Sequence, residues 1–253
     1  MNRFPAWFVA FGQWCFRYRN AAFPISFLAV MLTVRPHAIA GHPALTQAVL
    51  AAGVVVAVSG QLTRLLTIGY DYIDRGGKDG KVWASRLAQG GIYAHTRNPM
   101  YLGNLLIAIG ICLATGAPAA YLIVAPAFFV VYLAIIAAEE HYLAGRFGDD
   151  YRAYVAHVPR FFPSLRGLWQ TVTSQPYHWR RALRKDLSTL AGLTLGLSCL
   201  PVWRTFFLDG PDAARAALPA ALVRVGIVLA CFALLAALKQ RRLFFYLPSE
   251  LSS

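Results

Sequence analysis

Six stretches of this chain are each apolar for close to the ~20 residues that a helix needs to cross a hydrocarbon core. They lie near 22 to 40, 44 to 69, 98 to 116, 118 to 138, 187 to 208 and 219 to 238. Runs of that length restrict the fold more than any other feature. They predict an all-α, polytopic membrane protein with about six transmembrane helices joined by cytoplasmic interfacial helices. The first stretch is interrupted by Pro24, Arg35 and Pro36, although a first-turn proline is tolerated and an arginine near a span end can snorkel. Before it, Phe4 to Tyr18 mixes aromatics with Gln13, Arg17 and Arg19, the pattern of an amphipathic helix lying on the membrane and not of a signal peptide. The chain is 58% hydrophobic and 14% charged, which sets it apart from soluble domains and from disordered chains. Cys15, Cys112, Cys199 and Cys231 are too scattered for a disulfide framework. Their spacing proposes no metal site.

Lys and Arg number 24 against 11 Asp and Glu, giving +13, and their placement gives the orientation, since cationic loops stay in the cytoplasm. Arg3, Arg17 and Arg19 precede the first span. Arg75, Lys78, Lys81, Arg86 and Arg97 lie between the second and third, eight more lie between 139 and 186, and Lys239, Arg241 and Arg242 form the tail. With six spans all of these share one side, so both termini are expected in the cytoplasm. Arg35, Arg204 and Arg215 fall on the other side, and Arg64 and Arg224 within or at the edge of spans. The positive charge is then explained by an anionic leaflet and calls for no nucleic acid. Compact loops fit a bacterial inner membrane. Three regions follow: 1–43, the amphipathic helix and first span; 44–170, a membrane core; and 171–253, two further spans with a basic tail.

Chemistry concentrates at the cytoplasmic ends of the third and fourth spans. Asp71 to Thr96, with Gly76-Gly77, Gly80 and Gly90-Gly91, is long for a mere connection. It leads into Arg97-Asn98-Pro99-Met100-Tyr101-Leu102-Gly103, where Asn98 suits an N-cap and Pro99 the first helical position. Arg97 beside a helix start either offers a site for a carboxylate or phosphate or simply marks the cytoplasmic side. Gly116-Ala117-Pro118 turns the chain, and the fourth span returns Glu139-Glu140 to the same face. Packed helices lie about 8–10 Å apart, so the acids are expected beside Arg97. A carboxylate there must be paired or used: the two acids either serve a ligand or are interfacial groups bridged to Arg97 or Arg146. From Asp149, the spacing Tyr151, Tyr154, Val155, Val158 predicts a helix in the headgroup plane that covers a site or merely anchors the chain. Gly192 and Gly196 in the fifth span permit close packing, over an acceptor groove, in a dimer, or as an ordinary contact.

Taken together, Gly91-Ile92-Tyr93-x-x-x-Arg97-x-Pro99-x-Tyr101-x-Gly103, the Glu139-Glu140 pair and Phe147-Gly148-x-x-Tyr151-x-x-Tyr154 ending in Val158-Pro159-Arg160 carry a family resemblance. The chain resembles the isoprenylcysteine carboxyl methyltransferase and phospholipid N-methyltransferase superfamily over about residues 70 to 163. The resemblance implies an integral membrane enzyme that takes S-adenosylmethionine from the cytoplasm and a lipid-like or prenylated acceptor from the bilayer, methylating a carboxylate or an amine. It places Leu87, Ala88 and Tyr93 along the adenosine, lines the pocket with Arg97, Asn98, Pro99, Met100 and Tyr101, and turns Glu139 and Glu140 to the cofactor's cationic end. Arg97 and Glu140 are the expected catalytic residues. The family usually has histidine where this chain has Asn98, so positioning is the role expected there, since an amide does not titrate. Glu140, His95 and His141 are the candidate bases if the acceptor is an amine. The alternative readings are an NADPH-dependent reductase of the sterol type, similar in its Phe-Gly-x-x-Tyr element, and a non-enzymatic membrane protein with the same fold.

Overall fold

The apolar stretches fold as helices in a computed structural model that describes residues 4–37, 41–71 and 82–241. Gly76-Gly77, Gly80, Arg75, Lys78 and Lys81 of the long loop, with Arg3 and Arg242, lie outside the described residues. The helices are α1 (Ala6–Thr33), α2 (Pro43–Tyr70), α3 (Pro99–Thr115), α4 (Ala125–His157), α5 (Leu168–Ser174), α6 (Trp179–Leu208) and α7 (Pro211–Gln240). Four segments are long and apolar enough to cross a membrane: α2, Ala120–His157, α6 and α7. These mark an integral membrane protein. Of the six expected spans, the one at 98 to 116 is the shorter apolar α3, of 17 residues. The expected surface helix before 18 and the expected span at 22 to 40 are one continuous helix, α1. Alanines 21 and 22 favour helix at the presumed junction. The helix stops at Thr33, ahead of Arg35-Pro36, because the residue before a proline is pushed out of the helical region.

Helices α2 and α3 pack along facing glycines. A Cβ on Gly60 would lie 2.5 Å from the Gly103 carbonyl oxygen, and one on Gly110 would lie 2.5 Å from the Gly53 carbonyl oxygen. Backbone therefore touches backbone at two levels one heptad apart, the contact that small residues permit in membranes. On the other side α1 runs against α4. A Cβ on Gly12 would collide with the Ala134 carbonyl, and Cys15 and Phe16 join Leu105, Tyr132 and Ile135 in a buried cluster. These contacts put the start of α1, the end of α2, the start of α3 and the Glu139 level of α4 at one end of the bundle.

Helix α3 ends at Gly116, whose left-handed conformation (φ 69°) favours glycine. The chain passes through a wide π turn at Ala120–Val124 into α4. α4 continues beyond the acids to His157 and breaks only at Gly148 (φ 49°, ψ −116°), where the sequence places a helix end. In the segment after Gly148 the predicted apolar face is turned to protein. Tyr151 and Tyr154 are buried with Ala84 and Leu143, and Val155 and Val158 pack beside them. The Tyr154 hydroxyl donates to the Tyr93 carbonyl oxygen at 2.7 Å. The apolar face thus covers the segment 84–93.

Helices α6 and α7 form a hairpin through Gly210. α6 docks on α2 at one end, and at the other the Trp203 indole N–H donates to the Met31 carbonyl of α1 at 2.7 Å. Leu222, Val223, Ile227 and Leu234 of α7 stand exposed, as a lipid-facing surface requires.

Candidate functional site

A cavity of about 780 Å³ runs beside α3, walled by α1, α2, α4 and α6. Met100, Tyr101, Asn104, Ile107, Ala108, Ile111 and Thr115 line it from α3, the one-face spacing of a helix. Its chemistry changes along its length. Tyr93, Tyr101, Tyr132, Arg19, Arg64, Glu139, Lys185 and Asp186 gather where α3 begins, and Phe27, Val30, Ile111, Val124 and Leu193 take over further along. Glu139 is 7% exposed and accepts a 2.6 Å hydrogen bond from the Tyr101 hydroxyl. A carboxylate held in this way, with aromatic rings nearby, suits a cationic ligand group.

A second set of bonds closes the polar end. Asp186 of α6, 1% exposed, is gripped by both the Nε and an Nη of Arg64 from α2 and by the Gln61 amide at 2.6 Å. Arg64 also donates to Asn104 of α3 and, at 3.1 Å, to Thr189 of α6. Three helices therefore meet on one guanidinium. Arg64 is legible as a charge inside an apolar run, which marks a pathway or a site. Asp186 carries no such signal, because it follows the basic run Arg180 to Lys185 and reads as one acid in a cationic loop.

Six of the sequence-predicted residues fall into two groups, and Leu87, Ala88, Asn98 and Pro99 belong to neither. Tyr93, Met100, Tyr101 and Glu139 line the cavity. Arg97 and Glu140 lie in a neighbouring cleft with Tyr151, Arg152 and His157, since adjacent helical residues point apart. There Glu140 pairs with Arg97 at 3.2 Å and receives both Nε and Nη2 of Arg160, at 3.0 and 2.7 Å. Arg146 does not join them; its Nε donates to the Ala84 carbonyl. Glu140→Ala leaves two guanidiniums facing each other and is expected to lose about 3 kcal/mol of stability, read by thermal unfolding in detergent. Glu140→Gln should lose less.

Asn98 occupies the N-cap position, and Pro99 follows at the first helical position. The Asn98 side chain makes no capping bond; its amide donates to the Arg160 carbonyl at 3.2 Å. The Thr96 hydroxyl reaches the same carbonyl, and the Arg97 N–H donates to Pro159. Residues 96–98 are thus laced to 159–161, and Asn98 positions the chain. Ala88 is buried against Tyr93, and Leu87 packs on the Tyr151 and Tyr154 cluster. His95 is buried, with Nδ1 donating to the Ser164 carbonyl and Nε2 beside the Thr171 hydroxyl, both at 2.8 Å. His141 is exposed. Neither histidine lines the cavity.

With this geometry in place, comparison with known proteins identifies the core. Residues 43–150 match the phospholipid methyltransferase family. The phospholipid methyltransferase match covers α2, α3 and α4 to the kink, and so includes Arg64, Arg97 and both acids. It agrees with the superfamily resemblance carried by the motifs between Gly91 and Arg160. The matched family is one of methyltransferases and not of reductases. A curated relative, the cobalt-zinc-cadmium resistance protein CzcN of Cupriavidus metallidurans, is 35% identical over 79 residues, which are 31% of this chain and 36% of that protein. The chain spans about a third of that relative's length, so the likeness concerns the shared core and not the relative's role. No solved structure matches the chain.

Proposed function

We propose that the protein is a multi-pass membrane methyltransferase that uses S-adenosylmethionine and acts on a lipid-like or prenylated acceptor, with both termini in the cytoplasm of a bacterial inner membrane. The observation that carries the reading is the buried Glu139–Tyr101 pair in a cavity built on the family-matched core. The lining suits the cofactor: a carboxylate for its cationic end, the rings of Tyr93, Tyr101 and Tyr132 for its sulfonium and adenine, and the cations of the polar end for its carboxylate. When bound, S-adenosylmethionine supplies a methyl group whose transfer to a carboxylate oxygen forms a C–O bond, breaks the C–S bond, leaves the electron pair on sulfur and moves no proton. The chain's own task is then to align two partners and exclude water. An amine acceptor must also lose a proton, and Glu139 is the cavity carboxylate able to accept it, since Glu140 is held by two arginines. In this reading Arg97 and Glu140 act as positioning residues that fix the start of α3.

Calorimetric titration of the detergent-solubilised protein with S-adenosylmethionine tests the reading. Micromolar binding is expected in the wild type, with at least about a tenfold loss in Glu139→Ala, the loss of one charge-assisted contact. Tight binding of NADPH and none of S-adenosylmethionine would move the reductase reading to the front.

A further inference from the structure

Between Asp150 and Asp186 the chain holds no acid, while it carries six arginines and one lysine. Within that stretch, residues 159–172 form a strap across the end of the bundle where α2 stops and α3 begins. Its inner side is tied down. Besides the bonds that lace 96–98 to 159–161, the Ser164 N–H donates to the His95 carbonyl at 2.9 Å, and the His95 ring meets the Thr171 hydroxyl at 2.8 Å. The Tyr70 hydroxyl, at the end of α2, donates to the Val172 carbonyl at 2.7 Å.

The outer side is apolar and open. Phe162 is 87% exposed, Leu165 78% and Trp169 79%. Single apolar residues on a surface are ordinary, but three large ones within eight residues make a patch of the kind that meets a membrane or a partner. Two observations choose the membrane. The Phe161 ring lies 6.0 Å, centroid to centroid, from that of Phe129, an exposed residue in the apolar run of the α4 span. The strap therefore starts on a surface that already faces lipid. Its ends are also fixed beside the ends of α2 and α3, the level at which headgroups lie and at which tryptophan and basic side chains are favoured.

We propose that the strap is an interfacial anchor. Phe162, Leu165 and Trp169 enter the boundary between acyl chains and headgroups in the leaflet at the Glu139 end of the bundle, cytoplasmic in the orientation proposed above, and Arg166 meets anionic headgroups there. The inference needs only an integral membrane protein and holds whatever reaction the cavity serves. Charge supports the partner: Arg166 stands exposed among the three apolar side chains, and a stretch without acids adds no repulsion toward an anionic leaflet. Large apolar side chains beside arginine are the composition of segments that lie in the interface. The place in the headgroup plane that periodicity gave to Tyr151–Val158 thus falls to the segment after it. Through the inner bonds of the strap the leaflet then braces residues 95–98, where α3 starts.

The test uses the full chain reconstituted in phosphatidylcholine vesicles. The emission of Trp169 is obtained as the difference between the wild type and Trp169→Phe, a change at an exposed ring that costs no packing. Lipids brominated on the upper part of the acyl chain should quench this emission, and aqueous acrylamide should reach it poorly. Phe162→Trp places a second reporter on the patch and should gain an emission quenched in the same way; if Trp169→Phe yields no folded protein, that gain alone decides. Brominated phosphatidylglycerol should associate with the patch about fivefold better than brominated phosphatidylcholine, the effect of one basic residue near an anionic surface, and Arg166→Gln should abolish the preference. Quenching by acrylamide and not by bromolipid would place the patch in water and overturn the anchor. Shielding from both quenchers would mean that protein, such as a second copy of the chain, covers the patch, and would overturn it equally. Equal association of the two lipids with the wild type overturns the role of Arg166.

Discussion

Asp186→Ala is expected to lower stability by about 3–5 kcal/mol, the range for breaking a buried ion pair from one side. The loss arises less from the bonds removed than from what stays behind. Arg64 cannot leave the junction of α2, α3 and α6, and without Asp186 it keeps only Asn104 and Thr189 as partners among the bonds described above. Asp186→Asn keeps the shape and one acceptor but not the charge, and should fall between Asp186→Ala and the wild type. The double replacement Arg64→Met with Asp186→Leu removes both charges together and should recover most of the loss. Thermal unfolding of the four proteins in one detergent decides the matter. A double variant no more stable than Asp186→Ala would show that the pair is not the source of the effect.

Gly60→Leu should be comparably damaging for a different reason. Its Cβ would meet the Gly103 carbonyl oxygen at 2.5 Å and the Ile107 nitrogen at 2.8 Å. Both are backbone atoms of a helix and cannot step aside as a side-chain tip can. α2 and α3 must separate, and the loss should reach or exceed about 3 kcal/mol, the upper end for overpacked sites. Gly145→Leu is the control. Gly145 is helical with open space around it, so the change should be neutral or slightly stabilising through helix propensity. Folded yield and unfolding temperature would separate the two, and equal behaviour would refute the close-contact account.

What could be read from the sequence followed from local rules. Hydropathy located the long helices, Asn98-Pro99 marked the start of α3, Gly116 its end and Gly148 the kink, each through backbone preference. The approach of Arg97 to Glu140 was legible because a tight hairpin leaves few alternatives. Two kinds of information were not local. The side on which a residue faces cannot be read where two acids are adjacent, and so Glu139 and Glu140, expected to act together, stand in separate compartments. Nor does a single sequence reveal pairings across more than a hundred residues, such as Arg64 with Asp186. The last two spans therefore looked like an addition, although α6 contributes an acid and a wall to the site. The face of Tyr151 and Tyr154 was identified as apolar, but a hydrophobic stripe does not say whether protein or lipid will meet it.

The α1–α6 closure, through Phe27 with Gly196 and Trp203 with Met31, bears on how proteins of this kind diversify. The family-matched core supplies only part of the vessel; the remaining sides are built by the first helix and by the carboxyl-terminal hairpin. Such an arrangement lets the reaction and its clientele evolve separately. Two descendants with interchangeable cores would differ in the shape of the cavity after changes in α1 or α6 alone, and grafting those two helices onto another core would be the direct way to move that shape between them.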